Sequence, residues 1–285
     1  MKFHPVNKPL ICKPVADALL QAQTAGKKKV RVSLDLGKGV RELELSDDGV
    51  FCEDFRLGWE DVRIAAKRGR DIYYVEENHL VPLSISSGHF YKLVLVKWGH
   101  APTLEIDGIH MHRIVDVTPE ADSELKISML GRLRCCRVLD VCTGLGYTAI
   151  AALRKNACKI VTVEKDENVV RLARFNPWSW ELADDRIELR IGDAVDLIEE
   201  YSEEFDAVIH DPPRLALAGE LYGLEFYRKL ARALKPGGRI VHYVGQPGIR
   251  RGKKVWRGVL ERMRAAGFDA AYDESSRCVY GRRKR

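Results

Sequence analysis

Short apolar segments alternate with helical stretches through the second half of the chain, and this alternation constrains the fold more than any other feature. The apolar segments are residues 138–141, 159–164, 187–191, 206–210 and 239–244. Consecutive strands joined through helices pair in parallel, and helices then cover both faces of the sheet. The sequence therefore predicts an α/β fold, with two further strands at residues 268–272 and 278–282 near its end.

The first part of the chain has a different pattern, in which short alternating segments are separated by turns. Strands are predicted at residues 30–36, 40–45, 71–75 and 91–97. Alternation with a period of two, bounded by glycine and aspartate, is typical of half-buried strands. We therefore expect a smaller β-rich or α+β domain before the α/β domain.

A helix is predicted between the two patterns, because Thr118 is a good cap, Pro119 suits a first turn and Gly131 suits an end. The predicted division is residues 1–113 as an accessory domain that docks RNA, 114–133 as a connecting helix and 134–285 as the ligand-binding domain.

Composition and charge narrow the class of protein. No stretch approaches the ~20 apolar residues that cross a membrane, and the first residues lack a secretion signal, so a cytoplasmic location is expected. Seven cysteines without C-x-x-C spacing favour neither a disulfide framework nor a metal site. A net charge of +6 permits a polyanionic partner without requiring one.

The first motif is the turn after the segment at 138–141. Gly144 and Gly146 allow a tight turn and let a ligand approach the backbone where a helix begins. The next strand ends at Glu164, an acidic residue at the distance from the turn at which ribose hydroxyls are bound. Asp193 follows the third strand, where it is expected to bond an adenine amine, to cap a helix, or both.

The fourth strand leads into Asp211-Pro212-Pro213-Arg214. Two prolines directly after a strand make a stiff loop, because each fixes φ and lacks an N–H. Such a loop at the carboxyl end of a sheet is where α/β proteins place ligands.

These motifs, in this order, resemble those of the class I Rossmann-like methyltransferases, and more narrowly a group of archaeal predicted methyltransferases with a distinct N-terminal domain. The resemblance implies a Rossmann-like fold and S-adenosyl-L-methionine as cofactor. The cofactor-binding residues that it implies are Asp140, Thr143, Gly144, Gly146, Glu164, Lys165, Gly192, Asp193, Ala194 and Asp211.

The Asp-Pro-Pro signature resembles that of enzymes that methylate exocyclic amines of nucleobases. In that family the Asp carboxylate and the first Pro carbonyl accept hydrogen bonds from the amine, so the catalytic candidates are Asp211, Pro212, Pro213 and Arg214. Two positions depart from the family: Cys142 replaces a first glycine, and Arg214 replaces the aromatic residue that stacks on the base.

The expected function is methylation of an RNA base, with N4 of cytidine in ribosomal RNA as the preferred target and RNA as the partner. The substrate-contacting candidates are Arg214, Tyr243, Gln246, Arg250, Arg251, Lys253 and Lys254, several of which form a basic cluster that suits phosphates. One alternative is aminopropyl transfer to a polyamine, which predicts an acidic pocket. Another is a non-catalytic RNA-binding assembly factor, and methylation of a protein or a small molecule also stays open.

Overall fold

The computed structural model describes residues 1–245 and 254–285 and divides the chain into two compact units. The small-sheet unit consists of residues 4–119 and 168–180. The large-sheet unit consists of residues 1–3, 120–167 and 181–285.

The small-sheet unit is β-rich, as expected. Its elements are β1 (Leu10–Cys12), α1 (Lys13–Thr24), β2 (Lys29–Val32), β3 (Arg41–Leu45), β4 (Gly49–Cys52), β5 (Phe55–Gly58), α2 (Trp59–Lys67), β6 (Ile72–Glu76), β7 (His79–Pro82), β8 (Ser84–Ser87), β9 (His89–Val94), β10 (Thr103–Ile106) and β11 (Ile109–His110). The strands form three antiparallel sheets, in the orders β1-β6-β7, β2-β3-β4-β5 and β11-β10-β9-β8.

The predicted strand at residues 30–36 ends earlier than expected, at Val32. The Asp35 carboxylate accepts the backbone N–H groups of Lys38 at 3.0 Å and Gly39 at 2.8 Å. An aspartate that bonds its own backbone a few residues on stabilises a turn instead of a strand ladder. Residues 33–39 therefore form a loop before β3.

The large-sheet unit carries the expected α/β fold. Its elements, in chain order, are α3 (Pro119–Ser128), β12 (Arg137–Val141), α4 (Tyr147–Arg154), β13 (Lys159–Glu164), α5 (Glu167–Phe175), β14 (Ile187–Ile191), α6 (Ala194–Leu197), β15 (Phe205–His210), α7 (Leu224–Ala233), β16 (Leu234–Tyr243), α8 (Val255–Ala265), β17 (Phe268–Asp273) and β18 (Cys278–Arg283). Of these, Pro119 and the part of α5 from Asn168 onward group with the small-sheet unit.

The sheet is seven-stranded, in the order β14-β13-β12-β15-β16-β18-β17. Strands β12 to β16 pair in parallel, whereas β18 runs antiparallel to both β16 and β17. The sheet is therefore mixed, although its first five strands meet the expectation of a parallel arrangement. The chain order reverses between β12 and β15, and ligands bind at such a switch point outside the carboxyl ends of the strands.

The strands form the buried core of this unit. Val138, Leu139 and Val141 of β12 are fully buried, as are Val161 of β13 and Val208 of β15. Continuous apolar runs are required here because a covered parallel sheet hides both faces of each strand. The core fixes the strands, and the strands in turn fix the residues at their carboxyl ends.

The helix predicted before the sheet is confirmed, because α3 begins at Pro119 and Gly131 adopts a left-handed φ of 69° shortly after its end.

Within residues 1–245 and 254–285, no helix is both long and apolar enough to span a membrane.

Candidate functional site

The turn after β12 has three residues in the left-handed region of φ. Cys142 has φ 70°, Gly144 55° and Gly146 81°. A Cβ at Gly146 would lie 2.5 Å from the Leu182 side chain, whereas a Cβ at Gly144 meets no described atom within 4 Å. With its φ of 70°, Cys142 adopts a left-handed backbone conformation that glycine favours. The open space at Gly144 leaves its backbone approachable.

Asp140 lies beneath this turn with a fully buried side chain. One carboxylate oxygen accepts the Thr148 hydroxyl at 2.9 Å, and the other accepts the Thr162 hydroxyl at 2.7 Å, which is in turn 2.7 Å from the Thr143 hydroxyl. Burial raises the pKa of Asp140 to about 7, against the effect of the two hydroxyl donors. Asp140 and Thr143 thus link β12 and its turn to strand β13 through the Thr162 hydroxyl.

Glu164 stands at the end of β13 beside the turn. Its Oε2 accepts the Gly144 N–H at 2.8 Å, and its Oε1 accepts the N–H groups of Lys165 at 2.9 Å and Asp166 at 3.0 Å. Burial raises the pKa of Glu164, although these three donors oppose that effect. A carboxylate has about four acceptor positions, so Oε2 retains one acceptor position beside the turn.

The third strand end supplies Gly192, Asp193 and Ala194. The Asp193 carboxylate caps α6 by accepting the Val195 N–H at 2.9 Å, which confirms its expected capping role. Its second oxygen pairs with the exposed Lys165 ammonium at 2.6 Å, and this pair lowers the pKa of Asp193.

The fourth strand end places Asp211 in a buried ionic group. The Lys126 ammonium of α3 lies 2.7 Å from Asp211 Oδ2 and 2.8 Å from Asp122 Oδ2, and the Lys126 side chain is only 4% exposed. The same ammonium lies 3.9 Å from the centroid of the Tyr243 ring. Asp122, Lys126, Asp211 and Tyr243 form what we call the ammonium cage.

Electrostatics within the ammonium cage favour the charged form of Lys126. Burial opposes the charge on Lys126, but the carboxylates of Asp211 and Asp122 outweigh burial, so the Lys126 pKa lies above its ordinary value. Burial also raises the pKa of Asp211, and the Lys126 ammonium counteracts that effect.

The loop after Asp211 is fixed by a hydrogen bond from Tyr222. The Tyr222 hydroxyl donates to the Pro213 carbonyl at 3.0 Å, and Pro212 is buried while Arg214 is exposed. Tyr222 is itself buried, so it packs in the core and offers no free ring face.

Acidic groups surround the turn. Burial raises the pKa of the Cys142 thiol well above its ordinary value, and the carboxylates of Glu164, Asp211, Asp140 and Asp193 raise it further. Carboxyl groups from four adjacent parallel strands, β14, β13, β12 and β15, therefore all raise the pKa of this one thiol. The ammonium groups of Lys126 and Lys165 pair with some of these groups and leave a surplus of acid.

The structure thus brings the sequence-predicted residues of β12, β13, β14 and β15 to one edge of the sheet. Lys254 is exposed just before α8. Gln246, Arg250, Arg251 and Lys253 lie outside the described residues, so their contact with RNA stays a prediction. Among residues 1–245 and 254–285, no cluster of His, Cys, Asp and Glu has the arrangement of a metal site.

Sequence reasoning missed Asp122, the carboxylate that shares the Lys126 ammonium with Asp211. Asp122 and Lys126 both lie on α3, four residues apart, so they share one face of that helix. This spacing was the available signal, but an acid–base pair at four residues is usually a solvated surface pair. Only the contact with Asp211, 85 residues away, distinguishes it.

Comparison with known proteins adds three findings. Residues 137–273 match the family model of the spermine/spermidine synthase domain. The "Uncharacterized protein MJ1233" of Methanocaldococcus jannaschii is 42% identical over 264 residues, which cover 90% of this chain and 89% of that protein. The polyamine aminopropyltransferase 2 of Hyperthermus butylicus is 36% identical over 118 residues, which span 39% of each chain.

The fold is shared with solved enzymes. A spermidine synthase solved in complex with the transition-state analogue AdoDATO superposes with a TM-score of 0.56 at 20% identity, over 74% of this chain and 78% of that one. This similarity supports the Rossmann-like fold that methyltransferases and spermidine synthases share.

The prediction of RNA base methylation is wrong, and with it the predicted place in RNA processing. The matched domain and the aminopropyltransferase relatives overturn it. Two physical observations explain the error. The exposed Arg214 suggested a phosphate partner, whereas the residues that the fold brings together are predominantly acidic. Tyr243, proposed to contact the base, faces the Lys126 ammonium instead.

Proposed function

Because the chain belongs to the family of the Methanocaldococcus jannaschii protein MJ1233 and carries a spermine/spermidine synthase domain, we propose that it is an aminopropyltransferase. The proposed donor is decarboxylated S-adenosylmethionine, and the proposed acceptor is an amine of a diamine or polyamine. The group transferred is then the aminopropyl group of the decarboxylated donor, in place of the methyl group expected from the sequence.

One observation carries the proposal, namely that carboxylates outnumber ammonium groups at the carboxyl ends of β13, β14 and β15. Glu164, Asp193, Asp211 and Asp122 stand there with only Lys126 and Lys165 as their ammonium partners among the described contacts. The donor carries a sulfonium and an ammonium, and the acceptor is a polycation. Carboxylates in a partly desolvated site attract such substrates, because the interaction of opposite charges strengthens as the local dielectric falls. A phosphate backbone would meet repulsion at the same place.

The donor's charge also distinguishes the two reactions. S-adenosylmethionine carries an α-carboxylate, which the carboxylates of the site repel, whereas its decarboxylated form carries only the amine. Lys126 and Lys165, the ammonium groups in contact with the site's carboxylates, are both neutralised by Asp122, Asp211 and Asp193. The site chemistry therefore favours the decarboxylated donor.

Named residues then have distinct roles in the proposed reaction. The turn at Gly144 and the remaining acceptor position of Glu164 suit the nucleoside part of the donor. In the transfer, the acceptor nitrogen bonds to the propyl carbon, the carbon–sulfur bond breaks and its electrons return to sulfur. The nitrogen then loses a proton, and Asp211 is the proposed acceptor of that proton, because Lys126 holds the Asp211 carboxylate in place through one oxygen.

The test is release of the thioether nucleoside from decarboxylated S-adenosylmethionine, followed by chromatography with and without a 1,4-diamine or spermidine. We expect release that depends on the amine and falls by roughly 100-fold or more in Asp211→Asn. Asp185→Asn is the matched control, because that side chain is 93% exposed and pairs with the ammonium of Lys2, whose side chain is 68% exposed. Release of the nucleoside that does not depend on the amine would contradict the proposed function. Unchanged release in Asp211→Asn would contradict the proposed role of Asp211.

A further inference from the structure

Two exposed cysteines lie together at the amino-terminal edge of the large sheet. Cys135 precedes β12 and Cys158 precedes β13, and both side chains are exposed. The Cys135 N–H donates to the Asn156 carbonyl at 3.1 Å, and the Cys158 N–H donates to the Cys136 carbonyl at 2.9 Å. The backbone therefore holds the two segments side by side before the strands begin to pair.

The pKa of Cys158 agrees with this placement, because a side-chain hydrogen bond with Cys135 is the largest cause that raises it above its ordinary value. The neighbouring Cys136 differs, because its sulfur receives a hydrogen bond from Arg239 at 3.3 Å and its side chain is only partly exposed. Cys135 and Cys158 are thus the two exposed cysteines that the backbone places side by side at this edge.

We propose that Cys135 and Cys158 are a redox modification site that forms a reversible intramolecular disulfide by exchange with a small-molecule disulfide. One cysteine thiolate attacks the reagent and releases one of its two thiols. The second cysteine then attacks the mixed disulfide and releases the other thiol. Two cysteine thiols are oxidised and one reagent disulfide is reduced, so atoms and electrons balance.

The bond would act on stability and leave the strand-end site unchanged. It would tie the start of β12 to the start of β13 and close the loop from residue 135 to residue 158, which limits the unfolded chain. The candidate functional site lies at the other end of β12, roughly 16 Å away at about 3.3 Å per residue. We therefore expect the midpoint of thermal unfolding to rise by roughly 5 °C or more on oxidation.

The experiment treats the full chain with oxidised glutathione and then counts free thiols, maps disulfide-linked peptides by mass spectrometry and records thermal unfolding. We expect two thiols to disappear, to return with reductant, and to link the peptides that contain Cys135 and Cys158.

Three serine variants decide the assignment. Cys135→Ser and Cys158→Ser should each abolish both the linkage and the rise in midpoint, and Cys136→Ser, the matched control, should retain both. The proposal is overturned if the wild-type thiol count does not change, if the linkage persists in Cys135→Ser, or if oxidation leaves the midpoint unchanged. Amine-dependent turnover of the oxidised protein is measured in parallel, and because the thiol count needs no substrate, failure of the proposed function leaves this test intact.

Discussion

Replacing Lys126 by methionine tests the ammonium cage most severely. The substitution keeps the stem of the side chain and removes its terminal ammonium, so it leaves the carboxylates of Asp122 and Asp211 without their shared partner. Both contacts are short, at 2.8 and 2.7 Å, and the lysine side chain is 4% exposed. Water is therefore poorly placed to replace the ammonium.

The magnitude follows from this geometry. Removing one member of a buried ionic group costs about 3–5 kcal/mol of unfolding free energy, because the remaining charge stays desolvated. Without Lys126, burial and mutual repulsion raise the folded-state pKa of the carboxylate pair above its unfolded value of about 4. A carboxylate with a raised folded-state pKa binds more protons when folded, so stability falls as pH rises through that pKa. The loss in Lys126→Met should therefore be smaller at pH 5 than at pH 8.

The assay is urea-induced unfolding, followed by circular dichroism at both pH values. Lys165→Met is the matched control, because Lys165 also pairs with a carboxylate, at 2.6 Å from Asp193, but its side chain is 71% exposed. An exposed pair contributes at most about 1 kcal/mol. Equal losses in the two variants, or a loss in Lys126→Met that does not shrink at pH 5, would refute the reasoning.

Four further substitutions test other parts of the large-sheet unit. Asp211→Asn should lower turnover with a 1,4-diamine while calorimetry shows retained donor binding; lost binding would give Asp211 a different role. Gly146→Ala should lower the unfolding free energy by about 2 kcal/mol in urea titrations, because its Cβ would meet Leu182 at 2.5 Å and its φ is 81°. Gly144→Ala, with open space around its Cβ, should cost less, and the reverse order would contradict the packing argument. Burial lowers the pKa of His210 to about 4, so the imidazole is protonated at a lower pH in the folded state than in the unfolded state. Stability present above pH 6.5 should fall between pH 6.5 and 4, and His210→Leu should flatten that limb of a pH series.

The large-sheet unit was predictable because each of its strands carries its own signal. Strands β12, β13 and β15 are short runs of mostly apolar residues, and burial on both faces requires that composition. Strand β14 alternates apolar and charged residues, and β16 carries its apolar residues mainly in its second half. The strand-end positions of Glu164, Asp193 and Asp211 followed, since parallel strands present their carboxyl ends at one edge. The antiparallel β18 was predicted as a strand but not in its direction, because direction depends on pairing.

The ammonium cage could not be predicted as a unit. Its members come from α3, β16 and the loop after β15, and nothing local in the sequence links Asp122 or Tyr243 to Asp211. The net charge of the chain did not predict the charge of the site, for a related reason. The whole chain is basic at +6, yet folding collects carboxylates at one edge of a sheet, so the charge of the site differs in sign from the charge of the protein.

The most direct measurement of the central claim gives the purified protein both donors at equal concentration, S-adenosylmethionine and its decarboxylated form, together with a 1,4-diamine and spermidine. Mass spectrometry of the amines then identifies the group transferred. The account predicts amines that gain an aminopropyl group and none that gain a methyl group. Methylated amines, or no modified amine while the decarboxylated donor binds, would contradict it.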